Sequence, residues 1–388
     1  MTTTTQHAVA PRTPHPALIE LAAARPVAAT DPTEVAALIA SAAEHRMEGL
    51  LWGQIAAGRV VPPKAVVDEL ARANLRRRAN SLRLWRAAVL IRQRLANRGI
   101  GVAMAKGVAA EARWYDAPGE RPSGDLDLFL EPGAQHRLRE ALEALRPDHV
   151  RHGDAALLLT AGVLPSIDLE VAGVAVDLHA HADLFKIGVP LRQAELPWLR
   201  RCEVVGPAGP VDALDAELSL VHFLVHLNRD RFRFLLGFSD VARVLQREQL
   251  DWNFVEDFVR REGIEPIVYN ALDAVVSTLD LPYPPLPRPR GFRARIWRAL
   301  WPEDARLRRR AARRAVPYRR QFYLAMLARG RFVEAVRWFV RSRLLPPKAL
   351  INVYHGDVRG PYLVRLIVGR RRQRREGRRR RMASSKTG

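Results

Sequence analysis

The six residues Asp125-Leu-Asp-Leu-Phe-Leu constrain this chain more than any other segment. Their alternation is strand spacing, which turns Asp125 and Asp127 to one face of a sheet. Two carboxylates on one face repel each other. A fold accepts that when a divalent cation neutralises them. Magnesium, which takes a few carboxylate oxygens together with phosphate oxygens and water, suits such a pair at the mouth of a sheet. An exposed edge strand with two solvated aspartates satisfies the same pattern, so the flanking residues have to decide.

Upstream, Lys106-Gly107 lies between a short apolar run, Ile100–Ala105, and a helical pattern, Val108–Tyr115. A glycine there lets a phosphate approach the backbone, and the helix N-terminus adds partial positive charge. Lys106 is a candidate phosphate ligand, and so is Arg121, four residues ahead of Asp125. Each is equally compatible with a solvated surface role. Downstream, LPSIDLEV and VAVDLHAH flank Ala172-Gly173 and read as a hairpin. In its second strand Val174, Val176 and Leu178 turn one way, and Ala175, Asp177 and His179 the other. A carboxylate between Val176 and Leu178 is expensive to bury without a metal or proton partner. Asp177 is therefore the preferred third acid, with Asp168 and Glu170 on the first hairpin strand as competitors.

The surrounding grammar is helical. Residues 17–60 read as two helices, the second opening at Asp31 with Pro32 and Glu34 in capping positions. A long helix is predicted from about residue 65 to 98, stopped by Gly99. After the strand–helix–strand stretch come a helix over 134–146, a further strand at 155–160, and helices from Asp212 to about residue 279. The fold class is α+β, a small mixed-sheet core flanked by N-terminal and C-terminal helical regions. The expected divisions are an N-terminal helical region (1–98), the core (99–205), a helical region completing the cleft (206–280), and a proline-rich boundary with a basic C-terminal extension (281–388).

Taken in order, Lys106-Gly107, then Arg121-Pro-Ser-Gly-Asp125-Leu-Asp127-Leu, then Val176-Asp177-Leu-His179 resemble the uncharacterised nucleotidyltransferase family of the polymerase-beta-like superfamily. The stretch with His222, His226 and Asp240 resembles that family's C-terminal helical part. The superfamily's usual glycine-serine pair at the first turn is lysine-glycine here, a change the family shares. The resemblance implies transfer of a nucleoside monophosphate from a nucleoside triphosphate (NTP) to a hydroxyl acceptor, with two magnesium ions. It assigns Asp125, Asp127 and Asp177 to the metals and catalysis, and Lys106, Gly107, Arg121 and Gly124 to the nucleotide. His179, His222, His226 and Asp240 then line an acceptor cleft. The acceptor stays open among small molecules, protein and RNA. An idle relative that only binds nucleotide, nucleic acid or membrane is the alternative.

Charge bears on partners. Of the net +22, residues 288–388 carry +26, leaving −4 on the first 287 residues. The basicity belongs to the final quarter, above all to RRRQRREGRRRR (370–381), so contact with a polyanion or with the inner face of an anionic membrane is expected there. The lone Cys202 excludes an internal disulfide and fits a cytoplasmic setting. The first residues lack a secretory pattern, and no run of about 18 apolar residues suggests a spanning helix.

Overall fold

The computed structural model describes residues 13–150, 166–179, 191–193, 195–230 and 232–287, with Gly291 and Val333 besides. The strand expected at 155–160, the C-terminal extension after 291 and the arginine-rich tail lie outside them. The chain begins with helices α1 (Pro16–Ala22), α2 (Pro32–His45) and α3 (Glu48–Ala56). Asp31 caps α2 as its sequence predicts, accepting from the amides of Thr33 and Glu34 at 3.0 and 2.9 Å. The single helix predicted across α2 and α3 is broken instead at Arg46, whose φ of 61° is left-handed.

Helix α4 (Lys64–Ala96) runs for 33 residues and ends near the predicted glycine stop, with Gly99 at φ 62°. Its buried residues Leu84, Ala88, Ile91 and Leu95 recur at three to four positions and form one stripe. Trp85 on the same helix donates its indole N–H to the Gly209 carbonyl at 2.9 Å. Gly206 makes room for that ring, because a Cβ there would lie 2.1 Å from it.

The sheet has strands β1 (Val102–Met104), β2 (Leu126–Leu130), β3 (His149–Val150), β4 (Ser166–Val171), β5 (Val174–His179), β6 (Arg201–Gly206) and β7 (Gly209–Leu214). Their order is β3-β4-β5-β2-β1-β7-β6. β1 pairs antiparallel with β2 and parallel with β7, and β2 runs parallel to β5, so the sheet is mixed. β4 and β5 form the expected hairpin, with both turn residues, Ala172 and Gly173, at positive φ. The β6–β7 hairpin was not foreseen, and it carries the sheet on to Leu214. Between the strands lie α5 (Val108–Trp114), a 3-10 turn (Ala134–Arg137), α6 (Leu138–Leu145) and α7 (Leu196–Leu199). After the sheet come α8 (Ala216–Arg229), α9 (Leu235–Arg247), α10 (Trp252–Arg261) and α11 (Glu265–Leu279). Residues 281–287 form neither helix nor strand, in keeping with their prolines.

Two cores sandwich the sheet. On one face Met104, Leu126, Leu128, Val176 and Leu178 pack with Trp85 and Ile91 of α4 and Leu138 of α6. On the other, Ala103 and Phe129 join the cluster built by α1–α3 and α8–α11. Strand alternation then puts Asp127, Asp177 and His179 on the face covered by this second group of helices. The α+β architecture expected from the sequence is the one observed.

Candidate active site

The parallel pairing of β2 with β5 sets Asp127 directly opposite Asp177, and Phe129 opposite His179. Leu126, Leu128, Val176 and Leu178 are buried against α4 and α6, which fixes the register. The acids on the alternate positions have no other face to take. Asp127 is almost enclosed, its side chain 4% exposed, against 13% for Asp177. His179 Nε2 lies 3.5 Å from Asp177 Oδ2 and 4.0 Å from Asp127 Oδ1. Ligand atoms of the three residues fall within 4.8 Å of one another, a spacing that could hold a metal ion. Lys106 Nζ stands 3.1 Å from Asp127 Oδ2.

Asp125 sits one residue ahead of β2, exposed, and outside that trio. Asp168 pairs with Asp177 across β4–β5 and is also exposed, whereas Glu170 pairs with Ala175. The two competitors for the third acid therefore differ: Asp168 neighbours the trio and Glu170 does not.

Gly107 ends the turn after β1 with φ 74° and ψ −128°, a conformation open to glycine and hostile to residues with a Cβ. Its Cα side approaches the Asp125 carbonyl and Ser123 Oγ. The 119–125 loop is held by polar groups that the sequence did not advertise. Glu111 Oε1 accepts from the amides of Gly119 and Arg121 at 2.7 and 3.1 Å, and its other oxygen bonds Ser81 Oγ. Asn80 Nδ2 donates to the Ser123 carbonyl at 2.8 Å. Burial pushes the Glu111 carboxyl above its ordinary 4.5, and these hydrogen bonds pull partly the other way.

Arg121 is buried and makes a two-pronged pair with Asp240, Nε to Oδ1 at 2.7 Å and Nη2 to Oδ2 at 2.9 Å. Its remaining nitrogen, Nη1, donates to Ser123 Oγ at 3.0 Å. Tyr115 donates its hydroxyl to Asp240 Oδ1 at 2.6 Å. Burial works to lower the Arg121 pKa, but the Asp240 carboxylate and its hydrogen bonds outweigh that and raise it. Burial, then the Asp240 charge, hold the Tyr115 hydroxyl well above its ordinary range, so it stays a donor.

His222 and His226, one turn apart on α8, contact edge-on with ring centres 4.2 Å apart. Burial, followed by the positive charge of Lys106, drives the His222 pKa well below 6.5, with Asp127 opposing, so the ring is neutral. A cleft of ≈ 170 Å³ is lined by Lys106, Gly107, the Arg121–Asp125 loop and Asp127 from the sheet side. From the helices it is lined by Arg46, Phe223, His226, Phe232, Arg233, Phe234 and Asp240, among others. Asp177, His179 and His222 do not line it.

Residues 31–280 match a family described as an uncharacterised nucleotidyltransferase. The chain belongs to that family. No curated protein matches it. The match spans the first helical region from α2, the whole sheet and helices α8–α11, and membership implies a nucleotide substrate. Every residue assigned by resemblance to metal or nucleotide in this nucleotidyltransferase lies on the cleft, apart from Asp177, which reaches it through Asp127. Of the four residues assigned to an acceptor, His226 and Asp240 line the cleft. His179 belongs instead to the carboxylate cluster, and Asp240 is engaged by Arg121 and Tyr115. Arg46, Glu111, Tyr115, Arg233 and Phe234 escaped the sequence reading. Only Glu111, a carboxylate inside the apolar run Val-Ala-Ala-Glu-Ala, carried a visible signal. No helix among the described residues is long and apolar enough to cross a membrane.

Proposed function

We propose that this nucleotidyltransferase moves a nucleoside monophosphate from an NTP to a hydroxyl acceptor, with Asp125, Asp127 and Asp177 holding two magnesium ions. The observation that carries this is the β2–β5 register, which places Asp127 beside Asp177 on the helix-covered face, with Asp127 opening on the cleft. The donor chemistry fits: two adjacent carboxylates offer hard oxygens, and the phosphates and water complete the set. When bound, the ions neutralise the departing pyrophosphate and lower the pKa of the acceptor hydroxyl.

The chain's own residues do the rest. Asp125 and Asp127 hold both ions, and Asp177 holds the one on the acceptor side. The acceptor oxygen forms a bond to the α-phosphorus while the bond from that phosphorus to the β-phosphate oxygen breaks. Pyrophosphate leaves, and Asp177 takes the acceptor's proton. His179, an imidazole better suited to softer metals than magnesium, orients the two carboxylates from the side. Lys106, now on Asp127, turns to the phosphate charge once a cation satisfies that carboxylate. Gly107 and Gly124 let the nucleotide approach the backbone, and residues 206–280 complete the cleft.

The test is transfer of label from each of the four ribonucleoside triphosphates, with magnesium and cell extract as the source of acceptor. The Asp125→Asn/Asp127→Asn protein is the control. Label entering a product with the wild type alone is the expected result, and the product's size sorts protein, RNA and small-molecule acceptors. Nucleotide binding without any transfer would replace this function by that of an idle binding protein.

A further inference from the structure

We propose that Arg46, Arg233 and Phe234 form a clamp for the triphosphate tail of the nucleotide, an inference that rests on the nucleotidyl transfer proposed above. All three line the cleft that Lys106 and Asp127 also line. The guanidinium carbons of Arg46 and Arg233 lie 4.2 and 4.9 Å from the centre of the Phe234 ring. One ring therefore holds two cations near each other, although like charges at such range repel. A guanidinium seated on an aromatic face is oriented in advance, with its N–H fork free to be aimed at phosphate oxygens. Asp230 lines the same cleft, but Arg229 lies 3.4 Å from its carboxylate.

The cations that the sequence nominated for phosphate are otherwise occupied. All three nitrogens of Arg121 are engaged by Asp240 and Ser123. Lys106 is bonded to Asp127. A triphosphate entering this cleft therefore meets Arg46 and Arg233 as its additional guanidinium partners.

Backbone conformation points the same way. Arg46 has φ 61° and Phe232, next to Arg233, has φ 54°. A residue with a Cβ is disfavoured in this region, and a helix that merely ended at position 46 would end better on glycine. Two unfavourable backbones, in segments far apart in sequence, both border one cleft. Strain of this kind is tolerated where the side chain it presents is used.

The experiment measures binding of a non-hydrolysable NTP analogue and of the matching nucleoside monophosphate to the full-length protein in magnesium, by calorimetry. Arg46→Gly is the informative variant, because it removes the guanidinium and relieves the left-handed backbone together. It should weaken the analogue about ten- to a hundredfold, the worth of lost charged hydrogen bonds. The monophosphate's affinity and the melting temperature should not fall. Arg233→Gln should give the same selective loss, and Phe234→Leu a smaller one. Variants that bind the analogue like wild type overturn the clamp. If their acceptor KM rises instead, the arginines hold the acceptor. Equal losses for triphosphate and monophosphate also overturn it. Wild-type protein that binds no nucleotide would remove the underlying function, and the clamp with it.

Discussion

Asp127 and Asp177 owe their proximity to backbone hydrogen bonds of a sheet that the protein needs anyway, and one residue of register places both. Arg121 and Asp240 are 119 positions apart and meet only because α9 packs over the sheet, so their contact depends on the tertiary fold being complete. The first pair is two like charges held for a ligand to neutralise. The second is two opposite charges that neutralise each other, with Tyr115 satisfying a further lone pair. One side of the cleft is thus poised for chemistry and the other is internally satisfied and structural. Removing a charge from the sheet side should cost activity, and removing one from the helical side should cost stability.

The largest effect expected on this division is from Asp177→Asn, which should lower transfer at least about 10³-fold, as loss of a metal-binding carboxylate does. Asp168→Asn, its exposed neighbour across β4–β5, should change transfer less than about tenfold. Steady-state rates of the two purified variants make the comparison, and equal losses would mean that Asp168 shares the work. Next, Asp240→Ala should destabilise the protein by about 3–5 kcal/mol by stranding buried Arg121. Urea unfolding measures this. A joint Arg121→Met/Asp240→Leu replacement should recover much of the loss, since an apolar pair leaves no charge buried alone.

A smaller effect is expected at the turn between the two sides. Gly107→Ala has to adopt φ 74°, at about 1–3 kcal/mol. Thermal melting should show it, together with a raised KM for the nucleotide. The mildest effect is a pH dependence at Glu111. Its folded pKa is raised, chiefly by burial, so the neutral form favours the fold. The stability it contributes is full below its ordinary 4.5 and is lost as pH climbs through the raised value. Glu111→Gln, permanently neutral, should therefore gain on wild type in melting temperature as pH rises from about 4 to about 7. A gap that stays constant would show that Glu111 does not titrate there.

The same contrast explains what the sequence discloses. Alternation made β2, β4 and β5 legible, and with them the shared face of Asp127 and Asp177, because each depends on residues two apart. The α4 stripe and the Asp31 cap were legible for the same local reason. The β6–β7 hairpin was not, since Pro207 and Pro210 interrupt its alternation and its partner β1 is about a hundred residues away. The break at Arg46 hid in an alanine- and glutamate-rich run that favours helix throughout. Arg121 stood out as a loop arginine near an acidic pair, but Asp240, the partner to which its guanidinium is committed, lies on another helix. His179 could be named but not placed, because its distance to Asp127 is set by the pairing of β2 with β5.

The most direct test of the sheet-borne site is manganese binding, followed by electron paramagnetic resonance as a visible substitute for magnesium, in wild type and in Asp127→Asn. Wild-type protein should bind manganese, more tightly with a non-hydrolysable NTP analogue present, and the variant should lose this binding while melting no earlier. Undiminished manganese binding in Asp127→Asn would contradict a metal site built on the β2–β5 pair.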